Sequence, residues 1–112
     1  PIALASSSRK KTILPILKRY SLLPYFNSVI TAEDVKHAKP NPELFLTAAL
    51  RLSINPEDCI VFEDSFSGVQ AAHSAHMKVV LVTSSFKKID MPEVDLTIKD
   101  FTQISVDELK VL

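Results

Sequence analysis

Three short stretches of this chain carry residue types that could do chemistry: Ser6-Ser7-Ser8, Lys39 within Lys39-Pro40-Asn41-Pro42, and the adjacent acids Glu63-Asp64. The serines follow the apolar run 2–5, and the acids close the apolar run 59–62. Lys39 stands just ahead of a helical pattern. Hydroxyls and backbone N–H groups at a strand end that leads into a helix suit a phosphate, because the helix dipole adds partial positive charge there. A lysine ammonium can neutralise a phosphoryl oxygen as charge develops on it. Paired carboxylates at the end of a buried run need a partner to offset their desolvation. A magnesium ion, which prefers carboxylate oxygens and keeps several waters, is one such partner. Together these are a phosphate-binding set and a cation-binding set. Each also has a plainer reading: serines and acids cap helices, and a loop lysine is usually solvated.

The elements that must position these residues alternate. Strands are expected at 2–5, 28–31, 59–62, 79–82 and the less regular 94–98, and helices at 9–20, 42–52, 67–76 and 106–109. Leu44, Phe45, Ala48, Ala49 and Leu52 fall on one helical face. Asn41 is a candidate N-cap, with Pro42 at the first helical position, where its missing N–H costs nothing. Ser67 is the cap candidate for the third helix. Pro15 interrupts the pattern Ile13, Leu14, Ile16, Leu17, Tyr20 and should delay or kink the first helix. Alternating strands and helices predict an α/β fold, a three-layer Rossmann-like core around a parallel sheet. In such a sheet the strand ends and helix starts collect on one edge, where ligands bind. The serines, the lysine and the acids should therefore converge.

Composition narrows the alternatives. With 112 residues the chain is one domain. Lys plus Arg and Asp plus Glu both number 13, so no electrostatic footprint for nucleic acid or an anionic membrane is present. A lone Cys59 excludes a disulfide framework and favours a reducing, cytoplasmic setting. No apolar run reaches the roughly 18 residues of a membrane span. His37 lies in the polar loop before Lys39. His73 and His76 are spaced to share a helix face, but no cysteine or acid completes a metal set, so a surface or helix-end role is expected. Lys87-Lys88 reads as a solvated loop. The chain opens with Pro1 and runs directly into strand-like sequence, which suggests a piece of a longer protein.

In order and spacing, the three motifs resemble the haloacid dehalogenase-like superfamily of phosphotransferases, and within it the β-phosphoglucomutase and sugar-phosphatase branch. Residues 2–9, Ile-Ala-Leu-Ala-Ser-Ser-Ser-Arg, resemble its second motif, with Ser6 as the phosphate-binding serine and the backbone of Ser7 beside it. Residues 32–43 resemble the third, with Lys39 contacting the phosphate. Residues 61–72, Val-Phe-Glu-Asp-Ser-Phe-Ser-Gly-Val-Gln-Ala-Ala, resemble the fourth, with Asp64 a direct magnesium ligand and Glu63 binding magnesium or orienting its water. Two departures, Ala38 and His76, stand where the family tends to have glycine and should affect loop geometry.

The resemblance implies a magnesium-dependent phosphatase or phosphomutase acting on a small phosphorylated metabolite, a sugar phosphate by preference, through an aspartyl-phosphate. Ser6 and Lys39 would be its catalytic residues in this chain. The family's nucleophile and general acid/base form an Asp-x-Asp motif, which does not occur here, and its helical cap is absent too. The chain thus resembles the C-terminal part of a core domain, inactive alone. In the family the first strand is central, with the second and third strands on one side and the fourth and fifth on the other. Without it, two strand pairs lose their shared neighbour. An N-terminal segment of the same protein or a partner copy should fill that place, or the sheet should close differently. The rival from another class is a non-catalytic, degenerate module that binds phosphate or a protein. A phosphoacceptor signalling domain would need acids at the first strand end, where serines stand instead.

Overall fold

A computed structural model describes residues 1–84 and 91–112. The Lys87-Lys88 pair lies outside the described residues. In chain order the elements are β1 (Ala3–Ala5), α1 (Lys10–Arg19), β2 (Ser28–Ile30), α2 (Glu43–Leu52), β3 (Ile60–Glu63), α3 (Phe66–Ser74), β4 (Lys78–Val82), β5 (Leu96–Ile98) and α4 (Val106–Leu109). The expected alternation is present. All ladders among the described residues are parallel, as expected of an α/β Rossmann-like core.

The strands divide into two sheets, β1–β2 and β3–β4–β5. Among the described residues the pair β1–β2 and the three strands β3–β4–β5 do not join each other, as expected of a sheet with a strand missing between β1 and β3. β4 shows why its run is apolar throughout. Val79 and Leu81 face one core with Val69, Ala71, Ala72 and Ala75 of the α3 side. Val80 and Val82 face another with Ile98. Both faces of this parallel sheet are covered, so neither tolerates polar residues.

Helix α2 links the halves. Phe45 and Ala49 enter the core of the three-stranded sheet, while Leu44 and Ala48 pack with Ile30 under the other. The single apolar face read from the sequence is therefore two adjoining stripes that serve different cores. Ala5 touches both cores.

Several local expectations are corrected. Helix α1 starts at Lys10 and runs through Pro15. Both Pro15 and Lys11, whose carbonyl loses its partner, are exposed, so water can satisfy the freed group. Helix α2 begins at Glu43, with Pro42 as the cap residue. Asn41 still caps through its side chain, Oδ1 accepting from the Glu43 N–H at 2.9 Å. The cap of α3 is Ser65, not Ser67: its Oγ accepts from the Gly68 N–H at 3.1 Å. His76 lies beyond the end of α3 with φ of 60°, so it does not share a helical face with His73. No helix among the described residues is long and apolar enough to cross a membrane.

Candidate active site

The serine loop is an extension of the β1–β2 ladder. The Ser6 N–H donates to the Ile30 carbonyl at 2.9 Å, and the Ala32 N–H donates to the Ser8 carbonyl at 3.0 Å. Ser6 Oγ accepts from the Ser8 N–H at 3.1 Å, which turns the chain tightly and leaves Ser7 exposed at the tip. Ser7 and Lys39 line one small cleft of about 60 Å³ with Ala32, Val35, Ala38 and Leu44. Ser6 is not among the residues that line it. Of the two serines, Ser7 is thus the one that shares a cleft with the lysine.

Lys39 leaves the β2–α2 connection and crosses to the other sheet. Its Nζ donates to Glu63 Oε2 at 3.2 Å, and the two side chains are only 17% and 10% exposed. The other oxygen, Oε1, accepts from the Asp64 N–H at 3.0 Å and the Ser65 hydroxyl at 3.2 Å. A carboxylate this buried needs such donors to offset its lost hydration. Glu63 is the last residue of β3 rather than the first beyond it, so it is held inward. Asp64, next along, is exposed.

Gly68 completes this arrangement. A Cβ built there would lie 1.9 Å from both Cδ and Oε2 of Glu63. The chain's single glycine therefore serves a close approach, the Glu63 carboxylate lying against the first turn of α3. No glycine among the described residues has a positive φ. Nor does Ala38 adopt one, so alanine is accommodated there without left-handed backbone, whereas His76 does adopt it. The Lys39–Pro40 peptide is cis.

Two further carboxylates fix the loop that carries Lys39, and neither was singled out from the sequence. Asp34 Oδ2 accepts from the N–H and hydroxyl of the fully buried Thr31 at 2.8 and 3.1 Å, and Oδ1 accepts from Arg51 at 2.9 Å. The Thr31 N–H, then the Arg51 guanidinium, hold the Asp34 carboxyl at about 2, below its usual 3.8. The spacing Thr-x-x-Asp is a capping-box signal that could have been read. Glu43, at the start of α2, accepts from the N–H groups of Lys36 and His37, both at 2.9 Å. The His37 Nδ1 lies 2.9 Å from the same carboxylate. No sequence signal marks that contact, because it depends on how the loop folds back.

The donor chemistry fits magnesium in part. Adjacent Glu63 and Asp64 offer hard oxygen ligands, and magnesium is commonly held by one or two carboxylates with substrate phosphate and water. As placed, however, both Glu63 oxygens are engaged by protein donors. Among the described residues no group of three or more His, Cys, Asp or Glu is gathered for a metal.

The sequence profile of the haloacid dehalogenase-like hydrolases matches residues 1–82. The chain belongs to this family. Among haloacid dehalogenase-like relatives, it is 40% identical over 80 residues to a fructose-1-phosphate phosphatase of Escherichia coli (strain K12), covering 71% of this chain and 43% of that protein. A HAD hydrolase of family IA, variant 3, from Entamoeba histolytica superposes with a TM-score of 0.89 at 27% identity, covering 97% of this chain and 51% of that one. A β-phosphoglucomutase from Clostridium difficile gives a TM-score of 0.77 at 28% identity, covering 91% and 44%. The chain spans 30–43% of the length of the first curated relatives it matches. The α/β, Rossmann-like core and the family expected from the motifs are thus established.

Proposed function

We propose that this chain is the C-terminal part of the core of a magnesium-dependent phosphatase or phosphomutase that acts on a small phosphate monoester, a sugar phosphate. The observation that carries this is the crossing of Lys39 to Glu63, which sets a largely buried ammonium beside the Ser7 cleft and ties it to the residue next to Asp64. The names of the fructose-1-phosphate phosphatase and β-phosphoglucomutase relatives support the substrate class.

Lys39 and the Ser6-Ser7 turn would hold the phosphoryl group, Ser6 through its hydroxyl and Ser7 through its backbone N–H. Asp64 would hold magnesium, with Glu63 beside it keeping Lys39 in place. Bound magnesium would supply charge neutralisation to the phosphoryl oxygens. The nucleophilic aspartate comes from a segment outside this sequence, in an N-terminal part of the same protein or in a partner copy. It attacks phosphorus as the bond to the sugar oxygen breaks, that oxygen taking a proton from the second aspartate of the Asp-x-Asp motif. Water in a phosphatase, or a sugar hydroxyl in a phosphomutase, then displaces the aspartate from phosphorus and gives its proton back to that second aspartate, releasing phosphate or a new sugar phosphate. Covalent catalysis of this kind splits one difficult step into two easier ones. The separation of β1 from β3 supports a strand being supplied between them. The lone Cys59 supports a cytoplasmic setting.

The test is Lys39→Ala in the complete protein, assayed with a panel of sugar phosphates. Turnover should fall by about 100-fold or more, and inhibition by inorganic phosphate should weaken. Unchanged turnover and unchanged phosphate inhibition would remove Lys39 from the site.

A further inference from the structure

We infer that Glu43 is a positioning residue for Lys39: it closes the 36–43 loop on itself and so fixes where the ammonium stands. The inference rests on Lys39 being a phosphoryl ligand. Glu43 is not among the residues that line the cleft, the Lys39 ammonium bonds Glu63 instead, and Glu43 acts through backbone N–H groups. Its side chain reaches back from the first residue of α2. Oε1 takes the Lys36 N–H at 2.9 Å, and Oε2 takes the His37 N–H at 2.9 Å. The chain between His37 and Glu43, with Lys39 in it, is thereby pinned at both ends. Inside the ring the Asn41 N–H donates to the Ala38 carbonyl at 3.1 Å, and Asn41 Oδ1 accepts from the Glu43 N–H at 2.9 Å. Upstream, the Asp34–Arg51 pair anchors the same connection to α2 at 2.9 Å. These fixed points lie on α2 or within the loop itself. The lysine backbone therefore inherits its position from the helix.

The chemistry calls for a carboxylate. The donors from Lys36 and His37 fall on both of its oxygens. A glutamine offers one acceptor oxygen and turns an N–H₂ donor toward the remaining N–H. The Lys36 N–H foremost, with the His37 ring and N–H, holds the Glu43 carboxyl below its ordinary range, which favours the charged form.

The experiment uses the complete protein with inorganic phosphate as the probe and para-nitrophenyl phosphate as the reporter substrate. Parent, E43Q, E43A, E43D and K39A are compared for phosphate Ki, KM and kcat. Amide hydrogen exchange at Lys36 and His37 is followed alongside. The phosphate Ki should rise roughly tenfold in E43Q and E43A, and less in E43D, as expected for a displaced positioning loop. The two amides should exchange faster, with magnesium dependence unchanged. If K39A weakens phosphate inhibition while E43Q and E43A keep the parent Ki, the positioning role is wrong and the Lys39 assignment stands. If K39A also leaves Ki unchanged, Lys39 is not a phosphate ligand and the inference falls with it. Should E43A fail to fold, E43D decides: a raised Ki with faster amide exchange supports the role, and parent values of both overturn it.

Discussion

Gly68→Ala puts the site's geometry under direct stress. A methyl carbon would arrive 1.9 Å from Cδ and Oε2 of Glu63 and 2.2 Å from its Cγ. Non-bonded carbons settle near 3.5–4.0 Å, so the carboxylate must retreat by about 1.5 Å or more. A retreat of that size breaks the 3.2 Å contact with Lys39 and disturbs the bonds from the Asp64 N–H and the Ser65 hydroxyl. Alanine should gain about 1 kcal/mol over glycine inside a helix. Against this stands the loss of a largely buried charge pair, about 3 kcal/mol when one partner is displaced. The net expectation is destabilisation by about 2 kcal/mol. Urea unfolding of the parent and G68A measures it, and E63A, alone and combined with G68A, locates its cause. E63A removes Cγ, Cδ and both carboxylate oxygens, among them the three atoms nearest a Cβ at Gly68, so G68A should cost at least about 1 kcal/mol less in the E63A background than beside the native Glu63. If G68A is as stable as the parent, or costs the same in both backgrounds, the packing of Glu63 on Gly68 is not what fixes this site.

Acid should weaken the protein through Asp34. Its folded value of about 2 lies below the usual 3.8, so its contribution is complete above about pH 4 and is lost as pH falls toward 2. With Arg51 partly exposed, that contribution is about 1–2 kcal/mol. Urea midpoints of parent and D34N should therefore converge between pH 4 and 2; a constant gap across that range would rule the contribution out. His76→Gly should stabilise by about 1 kcal/mol, because φ of 60° is costly for a side chain and free for glycine. A thermal midpoint below the parent's would show that the His76 side chain makes a contribution larger than the backbone cost. Ser65→Ala should cost about 1 kcal/mol through loss of the α3 cap, and an unchanged urea midpoint would contradict that.

Much of the fold was legible because parallel strands buried on both faces leave continuous apolar runs. Val79 to Val82 is such a run, and its faces do enter two cores. The places of the three motifs in the fold were legible because they sit at the seams between runs. Finer points depended on contacts between distant residues. Extending β3 by one residue turns Glu63 from a loop acid into a buried partner of Lys39, and nothing in the local pattern distinguishes those outcomes. Gly68 reads in sequence as an ordinary helix-start residue, and its purpose emerges only once the Glu63 side chain is placed over it. Ser67 and Ser65 are equally good cap residues by type; the strand's end decided between them. Pro15 disturbs its helix less than its position suggests, because helical proline is most damaging where the orphaned carbonyl is buried, whereas here both residues concerned face water. Asp34 was half-legible: the Thr-x-x-Asp spacing carries its capping role, but not its Arg51 partner on a later helix. Glu43 was illegible, because a loop-closing carboxylate has no periodicity to betray it.

The most direct test of magnesium-dependent phosphoryl transfer at Asp64 and Lys39 is sugar-phosphate turnover by the complete protein and its D64N variant across a magnesium titration. Turnover should require magnesium in the parent and fall by about 100-fold or more in D64N. Turnover in D64N at the parent rate, with the same magnesium dependence, would contradict that assignment.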